Sequence, residues 1–223
     1  AGEYSMPWIM KRLPTGVLDL DIALNGGFPA GGLSFLIGKQ GVGKSWMANQ
    51  IIREQQLLYG DDCNVAWIST EMAYDKLQGQ SCGVAVALSD KELDKLKKDF
   101  EAAGDELPEE EAKDMQKSIG NFITVPPSTA EQSLDMALDI IRSRQFQVVV
   151  IDSFGSMLTD LEKDKDLDEA NRVGGAALLN TSFARKLNEA LSTDENGDPN
   201  LTCVIGINQV RDNMNRANKY SPE

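Results

Sequence analysis

The run Gly38-Lys39-Gln40-Gly41-Val42-Gly43-Lys44-Ser45 has the residue types and spacing that hold the phosphates of a nucleoside triphosphate. Its glycines permit backbone angles that turn amide N–H groups inward, and a helix opening at Lys44 adds positive potential at its N-terminus. Lys44 would reach the β- and γ-phosphates, and the Ser45 hydroxyl would bind Mg²⁺. A glycine-bearing turn can match this pattern by chance. Here an apolar strand leads into it and a helix-length segment leaves it, which is the context the chemistry needs.

Three other places carry groups suited to the same reaction. Val148-Val149-Val150-Ile151-Asp152-Ser153 is an apolar strand ending in an acid. An Asp at the carboxyl end of a buried strand faces the crevice where such sheets bind ligands, and can hold a magnesium hydration shell. Apolar strands also end in Asp because a turn follows, so it is the pairing with the phosphate loop that points to function. Trp67-Ile68-Ser69-Thr70-Glu71 is a second apolar run reaching a carboxylate. Glu71 could orient and deprotonate a water, or be an exposed loop glutamate. Val204-Ile205-Gly206-Ile207-Asn208-Gln209 ends in two amides, and Gln209 offers both a donor and an acceptor for registering a γ-phosphate. Spacing alone does not separate it from an ordinary loop amide.

The elements that must position these groups are short β-branched or aromatic runs alternating with helix-length segments. Strands are expected at Leu33 to Ile37, Asn64 to Ile68, Asn121 to Val125, Gln147 to Ile151 and Thr202 to Ile207. Helices are expected at Lys44 to Leu58, Ala130 to Ser143 and about Asn171 to Leu191. Runs without polar alternation belong to strands covered on both faces, so the expected fold class is α/β, a mostly parallel central sheet flanked by helices. Ser128 or Thr129 can cap the helix after the third strand, with Glu131 or Gln132 in its first turn. Between Ser89 and Ser118 the chain is crowded with Lys, Asp and Glu, and Gly104 and Pro108 divide it into two helical pieces. This span reads as a charged helical insertion, with Leu93, Leu96 and Phe100 as a stripe that rests on the body. Asp194 to Pro199 is turn chemistry before the last strand.

With 223 residues and 41% hydrophobic content, one compact domain is the natural expectation. The net charge of −13 argues against non-specific attraction to nucleic acid, although a local basic patch can still bind phosphates. The absence of histidine excludes Ser-His and Cys-His catalysis. Cys63, Cys82 and Cys203 are far apart and without CxxC spacing, as expected of buried thiols in a reducing compartment. No stretch approaches the ~18 apolar residues of a membrane helix, and residues 1 to 6 lack an apolar signal core. The expectation is a cytoplasmic protein without membrane contact.

Taken together, these elements resemble the RecA family of recombination ATPases, including the bacteriophage recombinases. The likeness begins at Leu13-Pro14-Thr15-Gly16-Val17-Leu18-Asp19-Leu20-Asp21-Ile22-Ala23-Leu24 and Gly26-Gly27-Phe28-Pro29-Ala30-Gly31-Gly32, a lead-in typical of the RecA and KaiC branch. It continues through Glu71, Asn121 to Leu138, Asp152-Ser153, Arg185-Lys186-Leu187 and Ile207-Asn208-Gln209-Val210-Arg211. The resemblance implies a RecA-like phosphate-loop NTPase core with ATP and Mg²⁺ as cofactors. Lys44, Ser45 and the rest of the loop would hold the phosphates and metal, with Glu71 as catalytic carboxylate, Asp152 as second acid and Gln209 as nucleotide sensor. Asp75 takes the place that contacts the adenine edge, while Gln78 stands where bacterial members stack a tyrosine on adenine.

The resemblance further implies single-stranded DNA as partner and assembly into a homo-oligomeric helical filament. Its two DNA-binding loops fall at about Thr159 to Gly175 and from Val210 onward. Thr181, Arg185 and Arg211 take DNA-backbone positions, Leu178 replaces a family arginine, and Arg172 stands nearby. The first loop is rich in Asp and Glu. The family core extends beyond Glu223 and before Trp8, so residues 1–223 are expected to be one core domain truncated at both ends, binding ATP better than hydrolysing it. Two rival readings share the ATPase core: a hexameric replicative helicase, and a KaiC- or RadA-like regulatory ATP-binding module.

Overall fold

The computed structural model describes residues 11–70, 73–126, 129–153 and 175–209. Glu71, Arg172, Arg211 and the spans 159–174 and 210–223 lie outside the described residues.

Five parallel strands form the main sheet: β3 (Leu33–Gly38), β4 (Val65–Ser69), β5 (Phe122–Val125), β6 (Val148–Asp152) and β7 (Cys203–Gln209), in the spatial order β3-β7-β6-β4-β5. Each lies within two residues of its expected bounds. A separate antiparallel ribbon pairs β1 (Arg12–Leu13) with β2 (Phe28–Pro29). β4 is buried throughout, and β6 and β7 are buried up to their carboxyl ends, as their Val- and Ile-rich runs require. β3 departs from that expectation. It lies at an edge of the described sheet, with Phe35 and Ile37 45% and 61% exposed.

Period-2 alternation divides the sheet's side chains between two layers. Val65, Trp67, Val148, Val150, Cys203, Ile205 and Ile207 pack with Ala48, Ile51 and Ile52 of α2 (Lys44–Tyr59). Ala66, Ile68, Val149, Ile151 and Val204 pack with Leu134, Ala137, Leu138 and Ile141 of α6 (Ala130–Arg142) and with Phe183, Leu187 and Ala190 of α7 (Gly175–Ala190). All three helices present their apolar residues at three- and four-residue spacing, which places one stripe of each on the sheet. Thr129 caps α6 by accepting from the Gln132 N–H.

The lead-in forms α1 (Leu18–Ala23) and lies over α2: Gln55 donates its side-chain amide to the Pro14 carbonyl at 3.0 Å. Buried Thr15 is held there by Asp21, whose carboxylate accepts from its N–H at 2.7 Å and its hydroxyl at 2.8 Å.

The insertion holds α4 (Asp90–Ala103) and α5 (Glu109–Asp114), separated by Gly104 and Pro108 as expected. Its apolar stripe does not rest on the body. Leu93 packs with Leu88, Leu107 and Ala112, and Leu96, Phe100 and Met115 close a small core internal to the insertion. α5 is near enough to take the stripe, so a short hairpin satisfies itself. Two polar links join it to α3 (Lys76–Ser81), namely the Lys76–Glu92 ion pair at 2.9 Å and a bond from the Gln80 amide to the Met115 carbonyl at 2.8 Å.

Candidate functional site

The phosphate loop spans the gap between β3 and α2 at the carboxyl edge of the sheet, where open α/β sheets bind ligands. Gly41 and Gly43 have φ of +78° and +91°, in the left-handed region that any Cβ would strain, and this is what the glycine spacing requires. Gly43 is the N-cap of α2 and no side chain caps that end, so the amides of the first turn face the loop's concavity. Lys44 crosses the loop, its ammonium donating to the carbonyls of Gly38 at 3.1 Å and Lys39 at 2.7 Å.

Strand order brings two of the other predicted groups, Gln209 and Asp152, to this loop. β7 lies beside β3 with Gln209 opposite Gly38, which sets the candidate sensor next to the first residue of the loop. β6 comes next, and the Ser45 hydroxyl donates to the Asp152 carboxylate at 3.3 Å. These two hard oxygen donors suit Mg²⁺, which takes one or two protein ligands and completes its shell with water and substrate phosphate oxygens.

Two cavities flank Ser45. One of about 270 Å³ is lined by Gln40, Gly41, Gly43, Lys44, Ser45, Trp46, Gln78, Ile207 and Gln209. The other, about 280 Å³, is lined by Ser45, Asn49, Trp67, Ala73, Tyr74, Asp75, Gln78 and Asp152. Together they lie within the ~300–1,000 Å³ range of ligand clefts. The floor of the second is aromatic. Tyr74 packs 4.6 Å from the Trp67 ring and stacks 5.0 Å from Phe122, and its hydroxyl donates to buried Asn49 at 2.9 Å. Burial pushes the Tyr74 hydroxyl pKa up, so it stays a neutral donor.

Asp75 lines this cavity and also caps α3, its carboxylate accepting from the Gln78 N–H at 3.0 Å. Glu71 lies outside the described residues, but the strand end that leads to it is held by Thr70. The Thr70 N–H donates to the Asp152 carbonyl at 2.8 Å; its hydroxyl donates to the Ser153 carbonyl and accepts from the Ser153 N–H, both at 2.9 Å. Thr181 and Arg185 are exposed one turn apart on α7, away from buried Phe183 and Leu187. Motif spacing did not single out the Thr70 clamp or the place of Trp46 in the loop cavity, since neither residue belongs to a phosphate-loop pattern.

Residues 13–170 match the family model described as ATPase: KaiC. Among curated proteins, the chain is 29% identical to Protein RecA of Heliobacterium modesticaldum over 96% of this chain and 49% of that protein. It is 29% identical to Protein RecA of Chloroflexus aurantiacus, covering 94% and 48%. It is 30% identical to Protein RecA of Ruminococcus albus, covering 92% and 41%. The chain thus spans about half the length of the curated relatives it matches.

Proposed function

Because the chain belongs to the KaiC-type ATPase family and has the RecA-type phosphate-loop fold, we propose that it is the ATP-binding and ATP-hydrolysing core of a DNA recombinase. The observation that carries the nucleotide half of this reading is that Lys44, Ser45 and Gln209 line one cavity while Ser45 also donates to Asp152, so that the start of α2 meets the carboxyl ends of β7 and β6. In it, the loop amides and Lys44 cradle the β- and γ-phosphates. Ser45 and Asp152 would hold Mg²⁺, whose charge offsets that of the phosphates. Glu71 orients and deprotonates the attacking water.

Gln209 is the last described residue of β7, and it relays the γ-phosphate to the segment that begins at Val210. That segment, with Thr181, Arg185, Arg172 and Arg211, binds the backbone of single-stranded DNA along a helical filament of this chain. The coupling works if ATP and DNA both favour one state of that segment, and it is then reciprocal. DNA affinity falls with salt by a slope of about −0.7 per neutralised phosphate.

The test is DNA binding measured with and without a non-hydrolysable ATP analogue, in wild type and Lys44→Ala. Tighter binding with the analogue in wild type alone supports the relay; equal affinities discard it. The KaiC-type match and the net charge of −13 favour a second reading, a regulatory ATP-binding module acting on protein partners. Biological activity that survives Glu71→Gln would select that module.

A further inference from the structure

Trp46 is the third residue of α2, immediately after Lys44 and Ser45, and it is 47% exposed. Side chains of an α-helix lean toward its N-terminus, so an indole in the first turn leans toward the phosphate loop. Accordingly, Trp46 lines the loop cavity with Lys44, Ser45 and Gln209. Gln78, exposed on α3, is the other residue that reaches into this cavity from outside the loop and β7, and it lines the neighbouring cavity as well. The neighbouring cavity's own aromatics are committed elsewhere: Trp67 is buried, and Tyr74 is stacked on Phe122 and bonded to Asn49. Trp46 therefore offers an indole surface within the cleft that the core does not use.

We propose that Trp46 is the nucleobase platform of this site, stacking its indole on the base of a triphosphate held by the loop while the planar Gln78 amide covers the opposite face. The proposal rests on the nucleotide-binding reading above. Stacking is tolerant of base identity because every base has a π-face, so the site would discriminate only weakly among purine nucleotides. The phosphates are held by groups that do not depend on the indole, which separates the two parts of the ligand. Removing the ring weakens recognition of a nucleotide and leaves recognition of a bare polyphosphate intact.

The experiment is calorimetric titration of the chain with Mg·ATP and with Mg·tripolyphosphate, for wild type, Trp46→Ala, Trp46→Phe and Lys44→Ala. Tryptophan fluorescence is recorded alongside, and thermal melting confirms each variant folded. In Trp46→Ala we expect ATP affinity to fall roughly ten- to a hundredfold, the loss of one stacked base, with tripolyphosphate affinity unchanged. Trp46→Phe retains most of the affinity. ATP, but not tripolyphosphate, quenches emission in wild type, and the quench is missing from Trp46→Phe.

Unchanged ATP affinity in Trp46→Ala would overturn the proposal, as would an equal loss of ATP and tripolyphosphate, since the indole would then shape the loop. If wild type takes up neither ligand, or Lys44→Ala takes up both as wild type does, it is the nucleotide reading beneath the proposal that fails.

Discussion

Thr70 does two jobs at the carboxyl edge of the sheet. Its hydroxyl both donates to and accepts from the Ser153 backbone, and it precedes the candidate catalytic carboxylate by one residue. The clamp ties the end of β4 to the chain leaving β6 beside Asp152. Thr70→Val keeps the shape and removes both side-chain bonds. It should lower stability by about 1–3 kcal/mol, as expected when buried backbone groups lose partners, measured by denaturant unfolding. It should also lower ATP turnover while leaving ATP affinity close to wild type; a parallel loss of affinity would mean that Thr70 shapes the loop instead.

The cysteines separate by environment at the same scale. Burial pushes the Cys63 thiol up to about 11 and Cys203 up to about 12, whereas Cys82 is half-buried at the end of α3. All three were expected to be buried, and Cys82 is not. An alkylating reagent should label Cys82 first in the folded protein, as mass spectrometry would show, and early labelling of Cys203 would contradict its burial.

Among the elements, buried Asn200 joins three of them through one side chain. Its amide donates to the Ile141 carbonyl at the end of α6 and to the Ala190 carbonyl at the end of α7, at 2.7 and 2.9 Å. Its oxygen accepts from the Thr202 N–H and hydroxyl just before β7. Asn200→Ala takes the donor from the Ala190 carbonyl and the acceptor from the Thr202 N–H, while the Ile141 carbonyl keeps the Arg144 N–H and the Thr202 hydroxyl keeps the Phe146 carbonyl. It should cost about 2–4 kcal/mol of unfolding free energy in denaturant titration. A loss under about 1 kcal/mol would mean that water replaces the amide.

The insertion carries its own pH dependence. Burial would raise the Glu92 carboxyl, but bonds from the Ser89 hydroxyl, Lys76 and the Ser89 N–H, with the Lys76 charge, outweigh it and pull the pKa from 4.5 to about 2. A carboxyl lowered on folding adds stability that is complete above the unfolded value and fades as pH falls toward the folded one. The protection of α4 amides, taken relative to their intrinsic exchange rates, should therefore fall between about pH 4.5 and 2, and Glu92→Gln should flatten that dependence. The split into α4 and α5 was legible from Gly104 and Pro108. The partner of the stripe was not, because periodicity shows that a face is buried and says nothing of what buries it.

For the whole molecule, the two layers around β4, β6 and β7 hold the site's strand ends in register. Ile205 is fully buried in the central sheet, and Ile205→Ala should cost about 2–5 kcal/mol, seen as a lower denaturation midpoint at unchanged slope.

The identities of the strands, the helix opening at Lys44 and the glycine turn of residues 38–45 were determined by sequence alone. Each depends on backbone angles, capping and side-chain period over a few neighbouring residues. The tertiary structure decided what those pieces meet: Ser45 with Asp152 across 107 residues, Gln209 beside Gly38, and Trp46 sharing a cavity with Gln78. It also left β3 at the described edge and closed the insertion on itself. These outcomes follow from strand order and from competition between distant apolar faces, a property of the whole packed chain that no local run of residues encodes.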